Sequence, residues 1–398
     1  MTIHRSALRT FALSSFLVAV PFHMALAQDA TAVGERLKAA FAEQGVEVSW
    51  SNISGDASEI VIADTVITIS GAPAETPLGK VTLTDITEDA GAYTIGKVTL
   101  PNYSMTEDGA TVDITGISLT GLKLPAAGDT DPIAALMLYD AADMESLTVR
   151  IGDKIPFSMN QLHFEITAPE DGQPMEFTGA AEKFTAEMSM VEDAEAKKTM
   201  DALGYQTING YFELAGSWQP TDGRLELSQY DISIDKAGTI GFTFDLGGYT
   251  PDFIKAMQKM QKDMAAQPAG GDNSAQGLAM LGLMQQLTFH SASLRFDDDS
   301  LTGKALEFLA AQQGMKGADL ANQAKAIVPF LMAQLNNPDL TTQVTAAVTA
   351  YLDDPQSIEV SAEPENAVPF AVIMAGAMSP SPQDLLKTLS VSVTANED

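Results

Sequence analysis

The chain has 398 residues, with 53 acidic against 22 basic side chains, a formal charge of −31, 45% hydrophobic residues and no cysteine. A chain this long and apolar buries a sizeable core and is not disordered. Without cysteine it has no disulfide framework, thiolate metal site or cysteine nucleophile, and its charge repels phosphate backbones, which argues against nucleic acid as a partner.

Residues 1–27 read as a secretory signal peptide. Arg5 and Arg9 supply the positive start, Phe11 to Val20 form the apolar stretch, Pro21 ends it, and Ala25-Leu26-Ala27 is a small-x-small cleavage site. The stretch is too short to span the hydrocarbon core, which takes about 20 apolar residues, so cleavage after Ala27 is expected in preference to a retained anchor. No arginine pair marks twin-arginine export, and no cysteine follows the site for lipidation. The expected location is therefore the periplasm or the outside of a bacterial cell. Loss of the leader removes two arginines and no acid, leaving Arg36, Arg150, Arg224 and Arg295. The acids are scattered and not in blocks, which reads as a solvated surface more than as a cation-binding device. In the remaining chain the longest apolar run, Ala367 to Met378, contains Pro369 and is about half the length of a spanning helix. No transmembrane segment is expected in the mature chain.

Residues 31–44 have the period of an amphipathic helix, with Val33, Leu37 and Phe41 on one side and Gly45 as its stop. From Val46 to Ile166 branched residues alternate between turn signals such as Asp108-Gly109, and Asp171-Gly172 follows. One pattern recurs: two alternating apolar positions, a slip of one residue, then alternation again. It appears at Ile60, Ile62, Thr65, Ile67 and Ile69; at Val112, Ile114, Ile117 and Leu119; and at Phe157, Met159, Leu162, Phe164 and Ile166. It returns at Leu225, Leu227, Tyr230, Ile232 and Ile234, and at Leu287, Phe289, Ala292, Leu294 and Phe296. Leu78-Gly-Lys-Val-Thr-Leu83 and Ile95-Gly-Lys-Val-Thr-Leu100 are a closer pair. A slip of one residue is the mark of a β-bulge, which bends a strand. A series of them predicts a strongly curved antiparallel sheet with one apolar face.

A helix is expected over Val191–Leu203, ended by Gly204. A meander follows through Gln206–Trp218, Arg224–Asp235 and Thr239–Leu246. Thr250-Pro251 opens a helix to about Ala266, and Pro268 to Ser274 reads as a loop. Helices are predicted at roughly 275–286, 301–313, 317–335 and 338–352, with strands at Ser357–Ala362 and Leu389–Ala395. The fold class is α+β: a curved, bulged antiparallel sheet in the N-terminal part and a C-terminal meander packed by several helices. The division is a β-rich unit over 28–203 and an α+β unit over 204–398 that has the option of continuing the same sheet.

Catalytic signals are few. His4 and His23 leave with the leader, and the remaining His163 and His290 sit among apolar neighbours in strand-like repeats. No G-x-S-x-G presents a serine to either, and two histidines make a poor zinc site. Ser233-Ile-Asp-Lys236 matches the S-x-x-K pattern, but it closes a strand where that chemistry needs the start of a helix. Asp297-Asp298-Asp299 has Thr302 and Phe308 where a calcium loop needs Gly and Glu, so Asp299 or Ser300 is read as the cap of the next helix. Carboxylate pairs for glycoside hydrolysis leave no spacing signature, and Trp50 and Trp218 are few for a sugar-stacking groove. Asn52-Ile53-Ser54 is a formal glycosylation sequon, and no phosphate-cradling glycine loop appears. Met257, Met260, Met264, Met280, Met284 and Met332 recur at helical spacing, as core packing or as an adaptable apolar surface would require. No catalytic, cofactor-binding or metal-binding residue is assigned, and no cofactor is expected.

The run Leu287-Thr-Phe, Ser293-Leu-Arg-Phe-Asp297, Ser300-Leu301 and Asp354-Pro355 resembles uncharacterised exported proteins of alphaproteobacteria, over about residues 287–398. The slipped strands more distantly resemble the AsmA-like envelope proteins. That resemblance implies a long curved sheet folded into an apolar trough and a link to lipid handling, with no site residue to carry over. The absence of a retained N-terminal anchor departs from it. The expected function is non-enzymatic binding of a lipid-like or other hydrophobic ligand in the envelope. The alternatives are a scaffold protein acting through protein contacts and a hydrolase working with carboxylates alone.

Overall fold

The computed structural model describes residues 30–69, 75–131, 133–169, 172–190, 193–265 and 274–397. The expected leader with its cleavage site, Asp171, Val191 and residues 268–273 of the expected 268–274 loop lie outside these residues, while Ser274 is the first residue of a helix.

The chain enters through α1 (Ala30–Glu43) and continues into β1 (Val46–Ser49), β2 (Asn52–Gly55), β3 (Glu59–Ile69), β4 (Thr76–Asp89) and β5 (Ala92–Thr99). Next come β6 (Tyr103–Glu107), β7 (Ala110–Thr115), β8 (Ser118–Leu124), β9 (Ala141–Ile151), β10 (Lys154–Thr167) and β11 (Met175–Glu187). After α2 (Ala194–Leu203) follow β12 (Thr207–Gln219), β13 (Arg224–Ile234) and β14 (Gly238–Gly247), then α3 (Pro251–Ala265), α4 (Ser274–Met284) and β15 (Thr288–Asp298). Three helices, α5 (Leu301–Gln312), α6 (Gly317–Met332) and α7 (Pro338–Asp353), lead to β16 (Ser357–Ala362) and β17 (Val368–Pro369). The chain closes with α8 (Phe370–Ala377), α9 (Asp384–Thr388) and β18 (Val391–Ala395).

Among the described residues all eighteen strands belong to one sheet, and every pairing is antiparallel. The order is a plain meander. β1 and β2 pair end to end along β3, which pairs with β4, and β4 with β5. The interrupted strand β5–β6 lies against the interrupted strand β8–β7, and that against β9. From β9 each strand pairs with the next as far as β16, and β18 closes the sheet beside β16. The sheet runs without a break through residue 203, where β11 pairs with β12.

The predicted slips fall at distortions of the sheet, which also shifts register at unpredicted places, between Ala181 and Phe184 and between Ala215 and Gly216. The register shifts between Ile62 and Thr65, with Asp64 at φ 52°, and Gln161 takes φ 52° between Met159 and Leu162. Aspartate, whose short polar side chain bonds locally, tolerates the left-handed region better than branched residues, and an unbranched Gln161 stands there in β10. Gly116, at φ 65°, separates β7 from β8. Further shifts fall between Leu227 and Asp231 and between Asp245 and Leu246, at the slips read in the β13 and β15 repeats. Each slip keeps the apolar residues on one face and bends the strand. The bend is large enough for α1 to touch β1, β2 and β8, which lie at opposite sides of β3–β5, so the apolar face is concave there.

The core sits in that concavity. Val33, Leu37 and Ala40 of α1 pack with Ile60, Ile62, Val81, Leu83, Ile86, Ile95, Val98, Leu122 and Leu124 from the sheet, with Trp50 and Ile53 at its margin. Each fully buried aliphatic side chain contributes about 1.5–3 kcal/mol. Past β9 the same face is paved differently. The rings of Phe164, Phe184 and Phe177 lie over Gly179, Gly210 and Gly216 of the adjoining strand, so close that a Cβ at Gly179 would stand 2.4 Å from the Phe164 ring. Replacing Gly179 with valine is expected to cost about 1–3 kcal/mol by overpacking. A urea melt with a lower midpoint and unchanged slope would show this; an unchanged midpoint would mean the ring is not seated on the glycine.

The helices gather at the two strand ends. α3, α4, α8 and α9 cluster where β14 ends and β15 and β17 begin, and α2, α5, α6 and α7 cluster at the other end, with α7 running along β18. Thr250 caps α3 through Phe253 N–H, as its Thr-Pro start predicts. The cap of α5 differs from the expectation: Asp298 accepts from Thr302 N–H at 2.8 Å, while the Ser300 hydroxyl turns away to the Lys236 carbonyl. The helix α8 and the short strand β17 occupy the Ala367–Met378 run, where Pro369 stands just before the helix. Among the described residues no helix is long and apolar enough to cross a membrane.

Candidate functional site: an open apolar sheet face

Cross-strand pairing fixes which side chains share the concave face. In β10 to β12 the partners are Phe157 with Ala186, Met159 with Phe184, Leu162 with Ala181, and Ala181 with Phe212. In β12 to β14 they are Phe212 with Ile232, Leu214 with Tyr230, and Ile232 with Ile240. In β14 to β18 they are Phe242 with Leu294, Leu294 with Val360, and Val360 with Val393. The apolar face is therefore continuous from the α1 core to the last strand.

Its burial is not uniform. Under α1, Ile60, Ile62 and Ile95 have no exposed surface. At the strand end held by α3, Trp218, Phe253, Met260 and Leu287 are buried, and Trp218 donates from Nε1 to the Tyr249 carbonyl at 2.7 Å. Between these covers a stripe stays open: Met105, Ile151, Tyr230, Ile232, Ile240, Phe242, Leu294 and Val360 are exposed large apolar residues, with Ile240 at 51% and Leu294 at 54%. Phe212 packs edge-on against Tyr230 at 5.2 Å between ring centres. Counting both ends, ten successive strands run from β6 to β16, and nine spacings of ~4.8 Å give roughly 40 Å along the sheet, with the exposed residues at its two ends and half-buried or buried ones on β11 and β12 between. Large apolar surfaces of this kind on a folded chain mark a binding surface.

The convex face has the opposite character. Hydroxyl pairs cross it, Thr115 with Ser146, Ser233 with Thr239, Thr243 with Ser293 and Ser361 with Ser392, each at 2.7–2.8 Å. Three of the four arginines after residue 27 bridge neighbouring strands on it: Arg150 to Asp113, Arg224 to Asp245, and Arg295 to Asp297 and Glu359. The fourth, Arg36, donates to the Pro125 carbonyl beside α1. Exposed ion pairs of this sort contribute about 0–1 kcal/mol each. They make this face a solvated exterior.

The residues weighed for catalysis are dispersed. His163 lies exposed on the convex face, with Nδ1 2.7 Å from Asp143 Oδ1, and His290 sits at the register shift of β15 with Nε2 3.4 Å from Thr288 Oγ1. Ser233 is buried and bonded to Thr239, and Lys236 stands in a turn with φ 60°, so S-x-x-K has no helical geometry. The Lys236 carbonyl instead accepts from the Tyr205 hydroxyl and from Lys304 Nζ. Among the described residues no three acidic or histidine side chains converge on a point where a metal could sit. The Asp56 carboxyl is held below its usual range by the Ser58 hydroxyl and N–H, and that of Glu187 by Ser189. A general acid for glycoside hydrolysis needs the opposite shift. Trp50 lies beneath the Lys38 ammonium, 3.8 Å from its ring centre, and Trp218 is buried, so neither offers a stacking face. A cavity of about 820 Å³ between α2 and α5, lined by Lys304, Glu307 and Phe308, lies at the other strand end from α3, and its lysine is occupied by Tyr205 and Lys236.

The sequence pattern located the apolar face but not the stripe, because exposure depends on where the covering helices stop. A family model described as an uncharacterized protein matches residues 231–396, from within β13 through β18. That segment holds Ile232, Ile240, Phe242, Leu294 and Val360, the C-terminal part of the open stripe. No curated protein matches the chain.

Proposed function

We propose that the chain is an exported protein of the bacterial envelope that holds a lipid-like ligand against the open apolar stripe of its sheet. The observation that carries this reading is that one continuous apolar face is filled by α1 over β3–β8 and left exposed at Ile151 of β9 and across β13–β16, with the half-buried rings of β10–β12 between. A ligand with an extended apolar chain matches a surface of that shape, because it covers many strands without requiring specific polar partners. The half-buried Met159, on the same sheet face, supplies a side chain that adapts to chains of differing shape. The likeness of the slipped strands to AsmA-like envelope proteins points the same way.

Native mass spectrometry of protein taken from the periplasm of its producing cell tests the reading. The expected result is retained lipid that is lost on organic extraction. Extracted protein should also raise the emission of an apolar fluorescent probe and be blocked from doing so by added lipid. Repeated isolation without ligand, together with no probe binding, would overturn the reading.

A further inference from the structure

The two ends of the sheet are finished differently. At the first edge β1 and β2 are short strands, interrupted at Trp50-Ser51, and α1 packs against both. At the last edge β18 pairs with β16 over Val391–Ala395 without a register shift, and among the described residues no strand pairs with its other side. Exposed edges are ordinarily blunted by charge, proline or a bulge. β18 has none of these: from Thr388 to Asn396 there is no charged residue and no proline, in a chain of −31.

The phase of the ladder shows which main-chain groups are free. Asn396 donates its N–H to the Ser357 carbonyl at 2.9 Å, so Thr394 and Ser392, two and four residues earlier, also face β16. Such residues alternate along an antiparallel strand with ones whose N–H and C=O point the other way. Those of Val391, Val393 and Ala395 therefore point to the open side, and among the described residues no turn or loop main-chain group bonds to them. A groove of about 350 Å³ runs there between β18 and α7. Val393 and Thr394, whose side chains lie on opposite faces of the sheet, both line it, which places it at the strand edge. Its other wall includes Gln343, Ala346 and Ala350, exposed on α7.

The three free residues are symmetric about Val393. A second copy, rotated by half a turn about an axis beside Val393 and perpendicular to the sheet, sets its Ala395 against Val391, its Val393 against Val393 and its Val391 against Ala395. Each of these pairs exchanges two main-chain hydrogen bonds. The rotation keeps concave face beside concave face, so the apolar row through Val360 and Val393 runs on into Val393 and Val360 of the second copy. On the convex face Ser392 meets Thr394 of the second copy, continuing the hydroxyl pair of Ser361 with Ser392 at 2.8 Å. Glu397 comes level with Leu389 of the second copy, so the register sets no acid opposite an acid.

We propose that β18 is the interface of a homodimer, in which two copies pair their last strands antiparallel about Val393 and join their sheets and apolar stripes into one. The interface is argued from the free strand edge and not from ligand in the trough.

Because the chain has no cysteine, a single Val393→Cys substitution reports the pairing. The two Cα atoms would stand ~5.5 Å apart across the axis, within reach of a disulfide. A cross-linked dimer is expected on mild oxidation, whereas Tyr211→Cys, exposed on the convex face of β12, should stay monomeric in non-reducing electrophoresis. Sedimentation velocity of residues 28–398 over a concentration series should show a dimer. Val393→Pro removes one free N–H and leaves the bonds to β16 in place, so it should weaken dimerisation at least about tenfold with an unchanged circular dichroism spectrum. The trough variant Ile240→Asp should dimerise normally, so that failure of ligand binding and failure of dimerisation are read separately. Cross-linking at Tyr211 equal to that at Val393, or a dimer undisturbed by Val393→Pro, overturns the proposal. So does a wild type that stays monomeric throughout, which would leave the edge to an extended segment of a different protein.

Discussion

Replacing both Ile240 and Leu294 with aspartate is expected to abolish uptake of apolar ligand while leaving the fold in place. The two side chains are more than half exposed, and their neighbours on the concave face, Phe242 and Phe296, remain to pack the strands. Substitutions at such open positions usually change stability by no more than about 0.5 kcal/mol each. For a ligand the change is severe, because a carboxylate seated under an apolar chain must be dehydrated without a partner. A loss of at least about tenfold in affinity, equivalent to ~1.4 kcal/mol, is the expected outcome in a probe titration. Retained lipid should also disappear from the native mass spectrum. If the double variant binds as the wild type does, the stripe across β13–β15 is not the ligand surface. A control at Tyr211, exposed on the convex face, should leave binding untouched.

The second large effect concerns α1. Val33→Asp is expected to destabilise the protein by about 4–5 kcal/mol, at the upper end of single-substitution effects. Val33 has no exposed surface and lies among Ile60, Ile62 and Leu83, with no basic side chain in that cluster to pair a carboxylate. Because total stabilities are typically about 5–15 kcal/mol, α1 should release from the sheet before the remainder melts. The concave face of β3–β8 would then become as open as that of β13–β15. The measurable signs are a lower urea midpoint and a rise in dye binding to exposed apolar surface. The conservative Val33→Ala should show a smaller loss of the same kind. If Val33→Asp melts like the wild type, α1 does not fill this end of the trough.

Much of this architecture is legible in the amino-acid order because strand alternation and bulges are local properties. The slips after Ile62, Met159 and Leu227 fall at the observed distortions, and Gly116 breaks the strand between Ile114 and Ile117. The starts of α3 and α7 follow from Thr250-Pro251 and Asn337-Pro338, where a capping side chain precedes a proline in the first turn. The cap of α5 was not legible in the same way. Three consecutive aspartates and a serine offered equal chemistry, and only the approach of the Lys236 carbonyl to Ser300 leaves Asp298 as the acceptor for the helix. The run Ala367–Met378 was legible as apolar but not as α8, since a short apolar segment without periodicity reads equally as strand or helix.

Composition and periodicity by themselves determined an acidic, cysteine-free, strand-rich chain whose slipped strands keep their apolar residues on one face. They did not determine which part of that face is available. Ile60, Ile62 and Ile95 share residue type and alternation with Ile232 and Ile240, yet the first three are sealed and the last two are open. The difference arises because α1 covers β3–β8 and no described helix lies over the stripe from Tyr230 to Leu294. Alternation assigns a side chain to a face through the two or three residues around it. Burial depends on segments tens or hundreds of residues away, and only the tertiary structure decides where they come to rest.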